Sequence, residues 1–192
     1  MYLERMFPRR AAGFVLPELL VTFALLALMA VLSVPSFDHW LLRDRVDQAA
    51  HSLLATFSYA RNEALRLGGA VSVCRADSTA HCAKASAPCG KGAHASADNW
   101  ACGWLVTSGT SGPEHLRVLR RYPPSAGLSI VSPATILSFT PPAGQVMGSF
   151  RSFEIAAISP AWAAGLTQLT RCIRLAIGGR PRISDGACGH GS

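Results

Sequence analysis

The longest apolar stretch of the chain covers residues 14–34, and Glu18 is its only ionisable residue. A helix of about twenty apolar residues is long enough to cross the hydrocarbon core of a bilayer. We therefore predict a membrane-spanning helix over residues 14–35. A carboxylate inside such a segment costs free energy unless an opposite charge pairs with it, so Glu18 needs a specific role.

A second helical pattern follows over residues 36–67. Apolar residues recur there at steps of three and four, and charged residues occupy the other faces. The apolar stripe consists of Leu42, Val46, Ala49, Leu53, Phe57, Ala60 and Ala64. Gly68 and Gly69 then end the pattern. We expect one long helix whose second half packs on a folded domain.

Beyond Gly69, the pattern changes to short β-like runs separated by Gly, Pro and Ser. The runs cover residues 70–74, 103–107, 116–122, 128–131, 136–139, 153–158, 171–177 and 182–184. Short runs bounded by turn residues are typical of an antiparallel sheet. We therefore predict an α+β fold, in which the long helix packs on antiparallel β-structure formed by residues 70–192.

All six cysteines lie C-terminal to the apolar stretch, which indicates folding in an oxidising compartment outside the cytoplasm. Cys172 and Cys188 flank an apparent hairpin with two glycines at its tip, so we expect them to form a disulfide. The remaining four allow three pairings, which stay open: Cys74, Cys82, Cys89 and Cys102. His81 and His94 lie among these four, but the close cysteine pairs of zinc sites are missing. We favour disulfides over a metal and expect no cofactor.

The net charge of +7 is distributed unevenly along the chain. It is +2 in residues 1–13, zero in residues 14–109 and +5 in residues 110–192, where eight arginines face three acidic residues. A basic surplus confined to one part of a protein indicates an anionic partner. The C-terminal arginines are therefore candidates for an anion-binding site.

The sequence offers no pattern of catalytic residues. A nucleophile elbow, a phosphate-binding loop and a zinc-binding helix motif are all missing, and the six histidines are scattered. We do not expect an enzyme.

Residues 13–22 read Gly-Phe-Val-Leu-Pro-Glu-Leu-Leu-Val-Thr, which resembles the leader of type IV prepilins and type II secretion pseudopilins. In these proteins a prepilin peptidase cuts after the glycine and methylates the new N-terminal residue. The resemblance implies a leader over residues 1–13, cleavage between Gly13 and Phe14, and pairing of Glu18 with the terminal amine of a neighbouring subunit. It also implies a single-pass inner-membrane protein with a periplasmic domain, which joins other pilins or pseudopilins in a filament.

Three further segments resemble the FimT and GspH family of minor pilins and pseudopilins. Residues 60–66 read Ala-Arg-Asn-Glu-Ala-Leu-Arg, residues 100–106 read Trp-Ala-Cys-Gly-Trp-Leu-Val, and residues 171–183 form an arginine-rich C-terminal stretch. The resemblance implies the pilin-like fold. It leaves two functions open, in a type IV pilus or in type II secretion.

Residues 179–182 read Gly-Arg-Pro-Arg, which is similar to a Gly-Arg-x-Arg element associated with DNA binding during natural transformation in FimT-like members. Arg180 and Arg182 leave the same face if the chain is extended there, Arg174 and Arg171 lie on the strand before, and Gly179 leaves room for a phosphate. We expect this site to bind the phosphates of duplex DNA without reading sequence. The alternative is a purely structural subunit whose arginine-rich hairpin is solvated and keeps the domain soluble, or pairs with anionic lipid or an acidic neighbouring pilin.

Overall fold

The computed structural model describes residues 16–77, 79, 81–89, 95–109, 116–147, 151–158 and 169–189, with the backbone alone for residues 31–39. The chain divides into two compact units, Met1–Trp40 and Leu41–Ser192. All residues of the described hydrophobic core belong to the second unit.

The long helix α1 extends over Leu16–Leu67. Gly68 follows with a φ of +63°, a left-handed conformation that glycine adopts without strain, so the predicted end of the helix is confirmed. The predicted apolar stripe is also confirmed, because Val46, Leu53 and Phe57 are buried. In the first unit, by contrast, the residues from 16 to 30 are all exposed.

Among the residues whose structure is described, no helical stretch has the length and apolarity needed to cross a membrane. The membrane helix over residues 14–35 stays a prediction.

The β-structure forms two antiparallel sheets. Five strands have the order β3-β2-β1-β5-β6, with β1 at Val71–Arg75, β2 at Trp104–Ser108, β3 at Arg117–Tyr122, β5 at Ile136–Thr140 and β6 at Gln145–Val146. Four strands have the order β4-β7-β8-β9, with β4 at Leu128–Val131, β7 at Arg151–Ala157, β8 at Thr170–Leu175 and β9 at Pro181–Asp185. The sequence predicted all of these strands except β6, within two residues at each end. The division into two sheets was not predicted.

Phe57 of the helix contacts both sheets. Its ring centroid lies 6.4 Å from that of Phe139 in β5 and 5.0 Å from that of Phe153 in β7. Trp100 meets Phe153 edge to face at 5.1 Å, and the indole N–H of Trp104 donates to Thr56 Oγ1 at 3.0 Å. This aromatic cluster fixes the position of the four-stranded sheet against the helix, and with it the position of the C-terminal arginines.

Three disulfides close short loops. Cys74 is bonded to Cys82 and Cys89 to Cys102, which resolves the pairing that the sequence left open. The third bond joins Cys172 to Cys188, the pair that the sequence favours.

A buried arginine holds the loop between the first two disulfides. The side chain of Arg75 is 1% exposed, and its guanidinium donates to the carbonyls of Lys84, Ala85 and Ala87 at 2.9–3.2 Å. Burial lowers the pKa of Arg75, because the surrounding protein solvates the charge less well than water. The three carbonyls replace part of that lost solvation.

Candidate nucleic-acid interface

Strands β8 and β9 form a hairpin that carries four of the C-terminal arginines. Its turn is closed by the N–H of Gly179, which donates to the carbonyl of Ala176 at 2.8 Å. Along the ladder, Arg174 lies directly opposite Arg182, and Arg171 lies directly opposite Asp185. Because side chains alternate across a strand, these two pairs lie on opposite faces of the sheet.

Arg174 and Arg182, which we call the arginine face, lie on the outer side of the hairpin. Both side chains are exposed. The segment after β9 crosses the same side, where Arg174 donates to the carbonyl of Gly189 at 3.3 Å and the N–H of Cys188 donates to Glu154 at 2.8 Å. Within the described part of the chain, neither arginine of this face forms an ion pair with an acidic residue.

Arg171 lies on the inner side of the same hairpin, away from the arginine face. Its side chain is 9% exposed, and Nε lies 2.7 Å from a carboxylate oxygen of Asp47 on the helix. Nη1 lies 3.2 Å from a carboxylate oxygen of Asp185. Arg171 thus joins the helix to the hairpin, and its charge is balanced by two carboxylates. We therefore leave it out of the candidate interface.

Gly179 packs against a neighbouring loop and does not face solvent. It has a φ of +71°, and a Cβ added there would lie 2.1 Å from the carbonyl oxygen of Gly144. The glycine is needed for this close backbone contact, and the phosphate contact expected there stays a prediction.

Arg180 lies between this turn and β9, and it lines a cleft of about 420 Å³ that we call the turn cleft. The other lining residues come from the helix and the hairpin: Leu54, Ser58, Arg61, Asn62, Gly179 and Pro181. Arg61 crosses beneath the turn and donates from Nη2 to the carbonyl of Ala143 at 3.1 Å. The structure therefore places Arg180 beside the helix and Arg182 on the arginine face.

Sequence reasoning missed Arg61. The residue belongs to the segment 60–66 used for the family resemblance, but nothing in that segment shows that it meets a turn more than a hundred residues away. Its position beside the buried stripe was the available signal, because Ala60 and Ala64 are fully buried on either side of it.

A second group of arginines lies on β3, in the other sheet. Arg117, Arg120 and Arg121 are exposed, and the guanidinium of Arg120 lies 4.1 Å from the ring centroid of Tyr59. A hydrogen bond with the Tyr122 side chain raises the pKa of Arg120. These arginines offer charge-matched controls for the hairpin.

The N-terminal sites are described only in part. Glu18 lies in the first turn of α1 and is exposed. The proposed cleavage site between Gly13 and Phe14 lies outside the described residues. Among the described residues, no group of His, Cys, Asp and Glu side chains is arranged to hold a metal ion.

Comparisons with known proteins agree with this fold. The family model described as "Type II transport protein GspH" matches residues 49–179. A crystal structure of the type IV minor pilin FimU from Pseudomonas aeruginosa PAO1 superposes with a TM-score of 0.54 at 19% sequence identity, covering 74% of this chain and 90% of that chain. A second crystal form of FimU gives a TM-score of 0.51 at 20% identity, covering 72% and 91%. A comparison with curated proteins gives no match. The chain therefore belongs to the GspH family, and it has the pilin-like fold seen in FimU.

Proposed function

We propose that the protein is a minor type IV pilin that binds extracellular duplex DNA during natural transformation, through Arg174, Arg180 and Arg182. The observation that carries this proposal is the direct opposition of Arg174 and Arg182 across two antiparallel strands. Like charges at directly opposite positions destabilise a sheet. A phosphate backbone lying over the hairpin would offset that cost, and each phosphate contact would release a counterion.

The exposure of these arginines supports binding to the DNA backbone. Arg174, Arg180 and Arg182 are all exposed. The described residues on the outer side of the hairpin include no groove-reading helix, so we expect contacts with phosphates to predominate and sequence preference to be weak.

The test is a gel-shift titration of duplex DNA with the purified unit Leu41–Ser192 at about 50 mM salt. We expect Arg180→Ala with Arg182→Ala to abolish the shift while the circular dichroism spectrum is kept. The control is Arg117→Ala with Arg121→Ala, which removes the same charge from β3 and should leave most of the binding. If both double variants lost the same amount of DNA affinity, net charge alone would explain the binding, and the proposed site would be contradicted.

The proposal includes prepilin processing and filament assembly. The exposed apolar side chains of α1 between Leu16 and Met29 support it, because a helix that is apolar all round needs lipid or protein around it. In the filament Glu18 pairs with the terminal amine of a neighbouring subunit, which lowers the cost of a charge in an apolar setting.

Mass spectrometry of the exported protein tests this step. We expect a chain that begins at Phe14 and carries one N-terminal methyl group, and we expect Glu18→Ala to be processed but left out of the filament. An exported chain that still begins at Met1 would refute the processing step.

A structural subunit without DNA binding is the second candidate. The match to the GspH family model favours this candidate, because the description of that family names type II transport and does not mention DNA binding. In this case the protein is a structural minor pilin or a pseudopilin of type II secretion. Absence of any DNA shift by the unaltered unit would favour this candidate.

A further inference from the structure

We infer that the turn cleft binds one phosphate group, held by Arg61 from the helix and Arg180 from the hairpin. The inference rests on the proposed function, since the phosphate would belong to the duplex that lies across the arginine face. It adds a residue of α1 to an interface that the sequence placed on the C-terminal hairpin alone.

The stem of Arg61 is fixed in place by two glycines. An added Cβ at Gly144 would lie 2.5 Å from Cγ of Arg61, and one at Gly179 would lie 3.3 Å from its Cδ. Both backbones therefore pass close to the aliphatic part of the side chain and leave it little room to move. A guanidinium held in this way loses little further conformational entropy when it binds an anion.

The guanidinium of Arg61 has few partners of its own. Nη2 donates to the carbonyl of Ala143, and Nε is buried without a hydrogen-bond partner. Within the described residues, Arg61 forms no ion pair with a carboxylate, in contrast to Arg171. A guanidinium presents five N–H donors, so several of them stay available for an anionic ligand.

The lining of the turn cleft favours a phosphate. The described residues that line it include two arginines, Asn62 with its amide and Ser58 with its hydroxyl, and none of them is acidic. Arginine, asparagine and serine side chains are the usual donors to phosphate oxygens in protein–DNA complexes. Guanidinium groups bind phosphate through paired N–H donors.

The first test measures how the affinity for duplex DNA depends on salt. In Arg61→Met the aliphatic packing is kept and the charge is lost, and in Arg61→Lys the charge is kept. We expect Arg61→Met to reduce the slope of log K against log salt by about 0.9, the contribution of one phosphate contact, and Arg61→Lys to retain the slope. A purely structural role of Arg61 would not change the slope. Arg121→Met is the control for loss of one arginine elsewhere.

A second variant leaves the packed side chain of Arg61 unchanged. Asn62 is exposed, so Asn62→Asp should fold normally and place a negative charge at the turn cleft. We expect it to weaken DNA binding about tenfold at low salt, as one repulsive charge a few ångströms from a phosphate would do. Ser86→Asp, which adds the same charge on the exposed loop held by Arg75, should have little effect.

The outcomes separate this inference from the proposed function. DNA binding with an unchanged slope in Arg61→Met and normal affinity in Asn62→Asp would overturn the phosphate site and leave the proposed function intact. If the unaltered protein binds no DNA, the proposed function fails. Titration with inorganic phosphate then tests whether the turn cleft binds a phosphate group. Saturable NMR shifts of the Arg61 side-chain N–H and the Asn62 amide would then support the site, and their absence would overturn it.

Discussion

Replacement of Arg171 by methionine separates the structural arginine of the hairpin from those proposed to bind DNA. Methionine keeps much of the apolar volume but removes the ion pairs with Asp47 and Asp185. Asp185 is 89% exposed, so its contact with Arg171 contributes at most about 0.5 kcal/mol. The 2.7 Å contact with Asp47, which is 33% exposed, is a charge-assisted hydrogen bond worth about 1.5–3 kcal/mol. Partial hydration of the Asp47 carboxylate and its remaining ion pair with Arg43, at 4.0 Å, reduce the loss.

We therefore expect Arg171→Met to lower the free energy of unfolding by about 2 kcal/mol, and the Tm by about 4–8 °C. Urea and thermal unfolding of the unit Leu41–Ser192, with disulfides intact, measure the change. Arg182→Met is the matched control and should stay within about 0.5 kcal/mol of the unaltered protein, because its side chain is exposed. The slope of log K for DNA binding against log salt should show the reverse pattern. It should be unchanged in folded Arg171→Met and reduced in Arg182→Met. A stability of Arg171→Met equal to that of the control would refute the reasoning.

Three further changes test other parts of the hairpin and helix. Gly179→Ala should lower the free energy of unfolding by more than about 2 kcal/mol, because φ is positive at this position and the added Cβ would strike a carbonyl oxygen. Gly178→Ala is the control, because an added Cβ there meets no atom within 4 Å, and it should be nearly neutral in urea unfolding. Removal of the third disulfide by a double cysteine-to-serine change should cost about 3 kcal/mol in chemical denaturation, since the cross-link spans 16 residues. Hydrogen bonding from Arg66 lowers the pKa of Glu63 below its ordinary value of 4.5. The ionised Glu63 side chain therefore contributes to folding stability above that pH, and this contribution is lost as the pH falls through the lowered pKa. The stability difference between the unaltered protein and Glu63→Gln should accordingly shrink in urea titrations below pH 4.5 and stay constant above it.

The sequence predicted those parts of the fold that depend on local periodicity. The stripe that includes Leu53 and Phe57 recurs at helical spacing, and both residues are fully buried. Strand β4 was predicted at its observed bounds, because a short run rich in β-branched and apolar residues lies there between turn residues. Strand β6 was missed because two residues are too short to show any period.

Features that depend on contacts between distant residues were not predictable. The close approach of Gly179 to Gly144 joins two turns that the sequence shows only as separate glycines. The pairing of four cysteines depends on the path of the loop held by Arg75. The placement of Arg171 is different, because three residues separate it from Arg174 and strand alternation alone predicts opposite faces. The sequence therefore contains the signal that separates Arg171 from Arg174, although both were expected at the DNA site.

All three disulfides join cysteines that are neighbours in the order of the chain, the first with the second, the third with the fourth and the fifth with the sixth. Each bridge can therefore form as soon as its own segment reaches an oxidising environment, before the next cysteine arrives there. An oxidase without an isomerase should suffice for correct maturation of this domain, and loss of disulfide isomerase activity should leave its yield unchanged. The hydrophobic core contains residues from both ends of the domain, whereas each disulfide joins two consecutive cysteines of the chain.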